Sequence, residues 1–158
     1  MTNQPALDYI DQQILQALIE DGRASVEKVA ERVGLSPTPA RRRIRRLEEM
    51  GAITGYRADV DASVCGLGLR VFVLVTLDVG QADSMTQFES AVQQMPEVQS
   101  CDLLAGPNCY ILSVLISDMQ AYNSYLRNRL TQLPAVYAIE TRFVIDQVKN
   151  TSRLPLAG

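Results

Sequence analysis

Gly34-Leu35-Ser36-Pro37-Thr38-Pro39-Ala40-Arg41-Arg42-Arg43-Ile44-Arg45-Arg46-Leu47-Glu48 holds a turn, a helix start and a basic helix face in fifteen residues. Ser36 stands where a side chain accepts from the free N–H groups of a first helical turn. Pro37 suits the first helical position, where a missing N–H costs nothing. At about 100° per residue, Ala40, Ile44 and Leu47 fall on one inward face, with Gly51 as the stop. Thr38, Arg42, Arg45 and Arg46 project opposite, and Arg41 and Arg43 lie on the flanks. Like charges at i,i+4, as in Arg41/Arg45 and Arg42/Arg46, destabilise a helix. Five arginines in six positions therefore point to an anionic partner, of which nucleic acid phosphate is the commonest.

Upstream, Leu7, Ile10, Ile14 and Leu18 form an apolar stripe opened by Asp8 and stopped by Gly22. Val26, Val29, Ala30 and Val33 predict a second helix, capped by Ser25 and ended at Gly34. Helix, glycine-bearing turn and a further helix with polar first turns is the helix-turn-helix pattern, whose last helix enters a major groove about 12 Å wide.

The remainder of the chain sets bounds. A length of 158 residues suits one domain or two small ones, and 47% hydrophobic with 21% charged residues is ordinary for a folded protein. No window reaches the ~20 apolar residues of a membrane span, and the first residues lack a signal peptide's basic start and apolar run, so a cytoplasmic protein is expected. Net charge is −3, yet residues 1–60 hold nine basic and nine acidic residues, so the excess of acid lies downstream. The absence of histidine removes His-based triads, His general bases and His-containing zinc sites. Cys65, Cys101 and Cys109 form no CxxC pair and read as small half-buried hydrophobes, in a reducing compartment. No phosphate-binding glycine loop, dinucleotide fingerprint or nucleophile elbow is present. No metal and no cofactor are expected.

Residues 52–68 read as a connector, with a short strand at Ile53–Ala58 and a bend between Gly66 and Gly68. Leu69–Val79 is nearly continuous apolar and β-branched sequence, a strand covered on both faces. Ser84-Met85-Thr86-Gln87 reads as a capping box opening a helix with Phe88, Ala91, Val92 and Met95 inward. Strands follow at Val98–Ala105 and Tyr110–Ile116. Ser117-Asp118-Met119-Gln120 reads as a second capping box, opening a helix with Met119, Tyr122, Leu126, Leu130 and Leu133 inward and Pro134 at its end. Ala135–Ile145 is the last strand. The order βαββαβ predicts an antiparallel sheet with both helices on one face. The other face then carries apolar residues from several strands, which points to subunit association.

Leu7-Asp8-x-x-Asp11-x-x-Ile14-Leu15, Asp21-Gly22-Arg23, Val33 to Pro39, Arg43 to Glu48 and Gly51-x-Ile53-x-Gly55-Tyr56 together resemble the Lrp/AsnC family of transcriptional regulators, over nearly the whole chain. The resemblance implies an α+β protein: a winged-type helix-turn-helix domain in residues 1–51, a connector in 52–68, and a ferredoxin-like βαββαβ domain in 69–158 for effector binding and oligomerisation. It implies a nucleoid-associated, sequence-specific regulator that binds double-stranded DNA. It also implies a homodimer that assembles further, commonly to an octamer, and an amino acid or related effector at subunit contacts. Ser36, Thr38, Arg41, Arg42, Arg43, Arg45 and Arg46 are the candidate DNA-binding set, with Thr38 and Arg42 favoured for base contacts. Gly106, Pro107, Asn108, Cys109, Tyr110 and Thr141 are the candidate effector set.

Two departures stand out. Arg41 and Arg42 occupy positions where the family often carries an apolar and an acidic residue, so stronger electrostatic affinity and a steeper salt dependence are expected. The family's effector loop usually reads Gly-x-x-Asp-Tyr; here Gly106-Pro107-Asn108-Cys109-Tyr110 replaces the acid with a thiol, which pairs weakly with an ammonium. A ligand-independent architectural protein that wraps DNA is therefore the alternative. Relatives of the fold that decarboxylate sirohaem lean on histidines, and this chain has none.

Overall fold

The computed structural model describes residues 7–78, 80, 83–106, 109–150 and 154. The chain divides into two compact units, residues 1–59 with 149–158, and residues 60–148. The first division thus falls inside the expected connector.

The first unit holds α1 (Tyr9–Glu20), α2 (Val26–Arg32) and α3 (Pro37–Glu49). Asp8 caps α1 reciprocally: its carboxylate accepts from the Asp11 N–H at 2.8 Å, and Asp11 accepts from the Asp8 N–H at 3.1 Å. Ser25 caps α2, accepting from the Lys28 N–H. Ile14, Leu15, Ala17, Val29, Ile44 and Leu47 make the core. The turn into α3 uses Gly34 at φ +68, a left-handed conformation that glycine adopts without a Cβ penalty.

Ser36 occupies the N-cap of α3 but makes no side-chain cap bond. Pro39 stands at the third helical position, so of the two N–H groups a cap ordinarily serves only that of Thr38 exists. The expected strand at Ile53–Ala58 is also not formed, since no neighbouring segment of the described chain pairs with it.

The second unit is a four-stranded antiparallel sheet, β1 (Leu69–Leu77), β2 (Val98–Leu104), β3 (Cys109–Ile116) and β4 (Val136–Phe143), in spatial order β2-β3-β1-β4. Two helices, α4 (Ser84–Gln93) and α5 (Met119–Asn128), complete the ferredoxin-like order. Strand alternation sorts the residues by face. Val71, Val73, Val75, Leu77, Tyr110, Leu112, Val114 and Ile116 are buried with Phe88, Val92, Tyr122 and Tyr125 of the helices. Arg70, Phe72, Leu74, Thr76, Cys109, Ile111 and Leu115 point to the opposite face, which this chain leaves open, so β1 is covered on one face only.

Both capping boxes are corrected. Asp83, at φ +67, is the N-cap of α4, and Ser84 is a buried first residue of the helix. Asp118 caps α5 by accepting from the Ala121 N–H at 2.8 Å, while the Ser117 hydroxyl donates to Asp118. A carboxylate one residue away takes the cap in one case, and packing claims the serine in the other. Helix α5 ends at Asn128, short of Pro134, and a 3-10 turn (Leu130–Gln132) carries Leu130 and, after it, Leu133 into the core. Met119, at the first position of α5, is exposed rather than inward. Cys65 is exposed, whereas Cys101 and Cys109 are half-buried as expected. No helix among the described residues is long and apolar enough to cross a membrane.

Candidate functional site

Helix α3 buries Ala40, Ile44 and Leu47 and exposes Thr38, Arg41, Arg42, Arg45 and Arg46, the division that the 3.6-residue period dictates. Ser36, also exposed, stands at its entry. A concavity of about 510 Å³ beside the helix is lined by Asp8, Arg42, Arg43, Arg45, Arg46 and Glu49. This is a basic, solvent-facing surface with two hydroxyls, of Ser36 and Thr38, at its leading end.

The arginines differ in what holds them. Arg43 Nη1 donates to Asp8 Oδ2 at 2.6 Å and to Asp11 Oδ1 at 2.8 Å, bridging α3 to the start of α1. Arg46 Nη2 donates to Asp11 Oδ2. Arg45 Nε donates to Glu49 at 2.7 Å, and Arg41 lies 3.7 Å from Glu27; both are exposed pairs. Arg42 has no carboxylate partner among the described residues. The pairing holds the Asp8 carboxyl below its ordinary value, chiefly through Arg43, and raises Arg43 in turn.

Sequence reading missed Asp11 as a site residue. Its position was a usable signal, because it sits on the apolar stripe of α1, four residues after Leu7 and three before Ile14. A fully buried aspartate on such a stripe requires donors, and α3 supplies them. Tyr56 was missed as well: its hydroxyl donates to Glu48 at 2.9 Å, tying the segment after α3 to the helix, and burial followed by that carboxylate pushes its pKa up to about 12.

The candidate effector residues that are described, Gly106, Cys109, Tyr110 and Thr141, do not converge on one face of the sheet within one chain. Gly106 ends the β2 side of the hairpin at φ +152, a conformation that disfavours any side chain. Pro107 and Asn108 lie outside the described residues. Cys109 starts β3 opposite Thr76 and Leu104, on the open face of the sheet. Tyr110 points the other way into the core, stacks obliquely on Phe88 with ring centroids 4.8 Å apart, and donates to Glu89 at 2.7 Å. Burial and then Glu89 push its hydroxyl up to about 12. Thr141 is paired with Val73 on the helix side of the sheet and shares a 2.6 Å hydrogen bond with the Tyr122 hydroxyl. No cluster of metal-ligating side chains occurs among the described residues.

A family model described as the AsnC-type helix-turn-helix domain matches residues 7–48, and one described as the Lrp/AsnC ligand binding domain matches residues 70–154. A helix-turn-helix and a ligand-binding domain in one chain define a class of transcriptional regulator rather than an enzyme. The chain is 44% identical over 148 residues to the leucine-responsive regulatory protein of Klebsiella pneumoniae, covering 94% of this chain and 90% of that one. The Escherichia coli protein of the same name is 43% identical over the same span and coverage. A Neisseria meningitidis transcriptional regulator solved as its L-Met complex is similar at TM-score 0.90 and 35% identity, covering 95% of this chain and 97% of that chain. An AsnC family regulator from Agrobacterium tumefaciens follows at TM-score 0.88 and 30% identity, covering 94% and 97%. The chain belongs to the Lrp/AsnC family of transcriptional regulators.

Proposed function

We propose that this regulator reads double-stranded DNA through α3 and is gated by an amino acid acting on the hairpin loop between β2 and β3. The observation that carries the reading is the outward face of α3, where Thr38, Arg41, Arg42 and Arg45 stand exposed and Arg42 has no carboxylate partner among the described residues. Thr38 and Arg42, in the early turns, are assigned to base edges. Arg41 and Arg45 face phosphates, with Ser36 at the helix entry, and Arg43 and Arg46, which donate to Asp11, add positive charge behind them.

The open sheet face, apolar at Phe72, Leu74, Ile111 and Leu115, is assigned to a second copy of this chain. Two recognition helices in a dimer read a roughly palindromic target, and dimers assembled further, to an octamer, engage repeated sites by linkage. The Neisseria relative solved with L-Met supports the amino-acid class of effector. Gly106, Cys109 and the loop 107–108 are assigned to the ligand's head group, with Tyr110 and Thr141 bracing the sheet behind it. Because Cys109 places a thiol where the family often has an acid, backbone groups are assigned to hold the ligand ammonium.

Fluorescence anisotropy on the DNA upstream of the protein's own gene, at fixed salt and with a panel of amino acids, tests this. A several-fold shift caused by one amino acid is the expected result. Specific binding that no amino acid alters removes the gating, and absence of specific binding removes the regulator reading.

A further inference from the structure

Asp11 is a fully buried carboxylate whose oxygens are fully engaged. Oδ1 accepts from Arg43, and Oδ2 accepts from Arg46 and from the Asp8 N–H. Drawing either arginine away to a DNA phosphate leaves a buried charge short of donors, which is costly in a low-dielectric interior. Glu49 and Glu27, in contrast, have side chains 62% and 63% exposed. Exposed pairs of that kind contribute little and re-solvate readily, so Arg45 and Arg41 exchange carboxylate for phosphate without leaving an orphan.

From this difference we infer that Asp11 is a positioning residue that sorts the arginine run. It holds Arg43 and Arg46 as an internal clamp of α3 on α1 and leaves Arg41, Arg42 and Arg45 for DNA. The inference rests on the DNA-binding reading and deepens it. Of the five arginines on the helix, three per protomer then meet the duplex, Arg41 and Arg45 on phosphates and Arg42 on a base edge. The clamp keeps the helix in register with its neighbour while those three meet the duplex. Both contacts of Arg43 run through the single atom Nη1. A lysine ammonium can satisfy that geometry, whereas a fork onto guanine requires a guanidinium.

The test is duplex binding by the full chain across a salt series, with thermal unfolding measured on each variant. Arg41→Gln and Arg45→Gln each reduce the log K against log salt slope by about 0.9 per engaged protomer and leave the unfolding midpoint in place. Arg43→Gln lowers the midpoint and weakens binding by the same factor at every salt, giving a parallel line, and Arg43→Lys restores both. Asp11→Asn lowers the midpoint but steepens the slope by up to about 0.9, because Arg46 is released. This rise is a readout that a merely structural role for Asp11 does not produce, and it serves where Arg43→Gln fails to fold. Equal slope losses in Arg43→Gln and Arg45→Gln with unchanged melting overturn the inference. So does loss of sequence discrimination in Arg43→Lys, or a shallower slope in Asp11→Asn. Absence of any duplex binding by the wild type overturns the DNA-binding reading itself.

Discussion

The Asp8 carboxyl is stabilised in its charged form first by the Arg43 guanidinium and then by the Asp11 N–H. Its folded value lies below the unfolded one, so this stability is fully present above the ordinary carboxylate pKa, about 4, and is lost as pH falls through the folded value. Circular-dichroism melting of the helix-turn-helix unit is expected to show a midpoint that drops below about pH 4, with the drop flattened in Asp8→Asn. Thiols give an independent residue-scale check. Cys65 is exposed, whereas burial, then Asp102 and Glu89, push Cys101 up to about 11. A thiol-reactive probe at neutral pH should therefore label Cys65 first and reach Cys101 only slowly, as the fold opens; equal rates contradict this packing. Such environments were only partly legible in sequence. Asp11's place on an apolar stripe was visible, but which residues would satisfy it depended on a helix more than thirty residues away.

Helices and strands follow from periodicity, and their ends follow from local competition for backbone donors. In α3 the proline at position 39 removes one of the two N–H groups Ser36 could cap and no cap bond forms, so Ser36→Ala should cost less than about 0.5 kcal/mol, below the ~1 kcal/mol typical of a cap. Asp118→Ala removes a formed cap on α5 and should cost about 1 kcal/mol. Chemical denaturation of the two variants separates them; a cost at Ser36 as large as at Asp118 contradicts the geometry. Leu47, fully buried under α3, sets the scale for the core, and Leu47→Ala should cost about 2–5 kcal/mol. The inward faces of α3, α4 and the sheet strands were readable because burial at every third or fourth, or every second, residue is set by the chain's own geometry. The S-x-x-Q motifs misled because an adjacent acid or the packing of one serine outweighs a hydroxyl's small preference.

At the scale of the whole molecule, the open face of the four-stranded sheet is the surface we assign to assembly. Phe72 is 38% exposed at the centre of that face, beside Leu74 and Leu115 on the same surface. Phe72→Glu is expected to shift the protein toward the monomer in size-exclusion chromatography with light scattering, with the sheet's core untouched. An unchanged mass relieves that face of its assigned role. The βαββαβ order, the basic helix and the apolar second face were determined by sequence alone, because each rests on the spacing of residue types along the chain. Only tertiary structure decided that Arg43 and Arg46 reach back to Asp11, that Arg42 has no carboxylate partner among the described residues, and that Cys109 and Thr141 fall on opposite faces of one sheet. Those facts depend on which elements pack together and in which register. A pairing between residues far apart in the chain leaves no period in the sequence; it exists only once two elements have met.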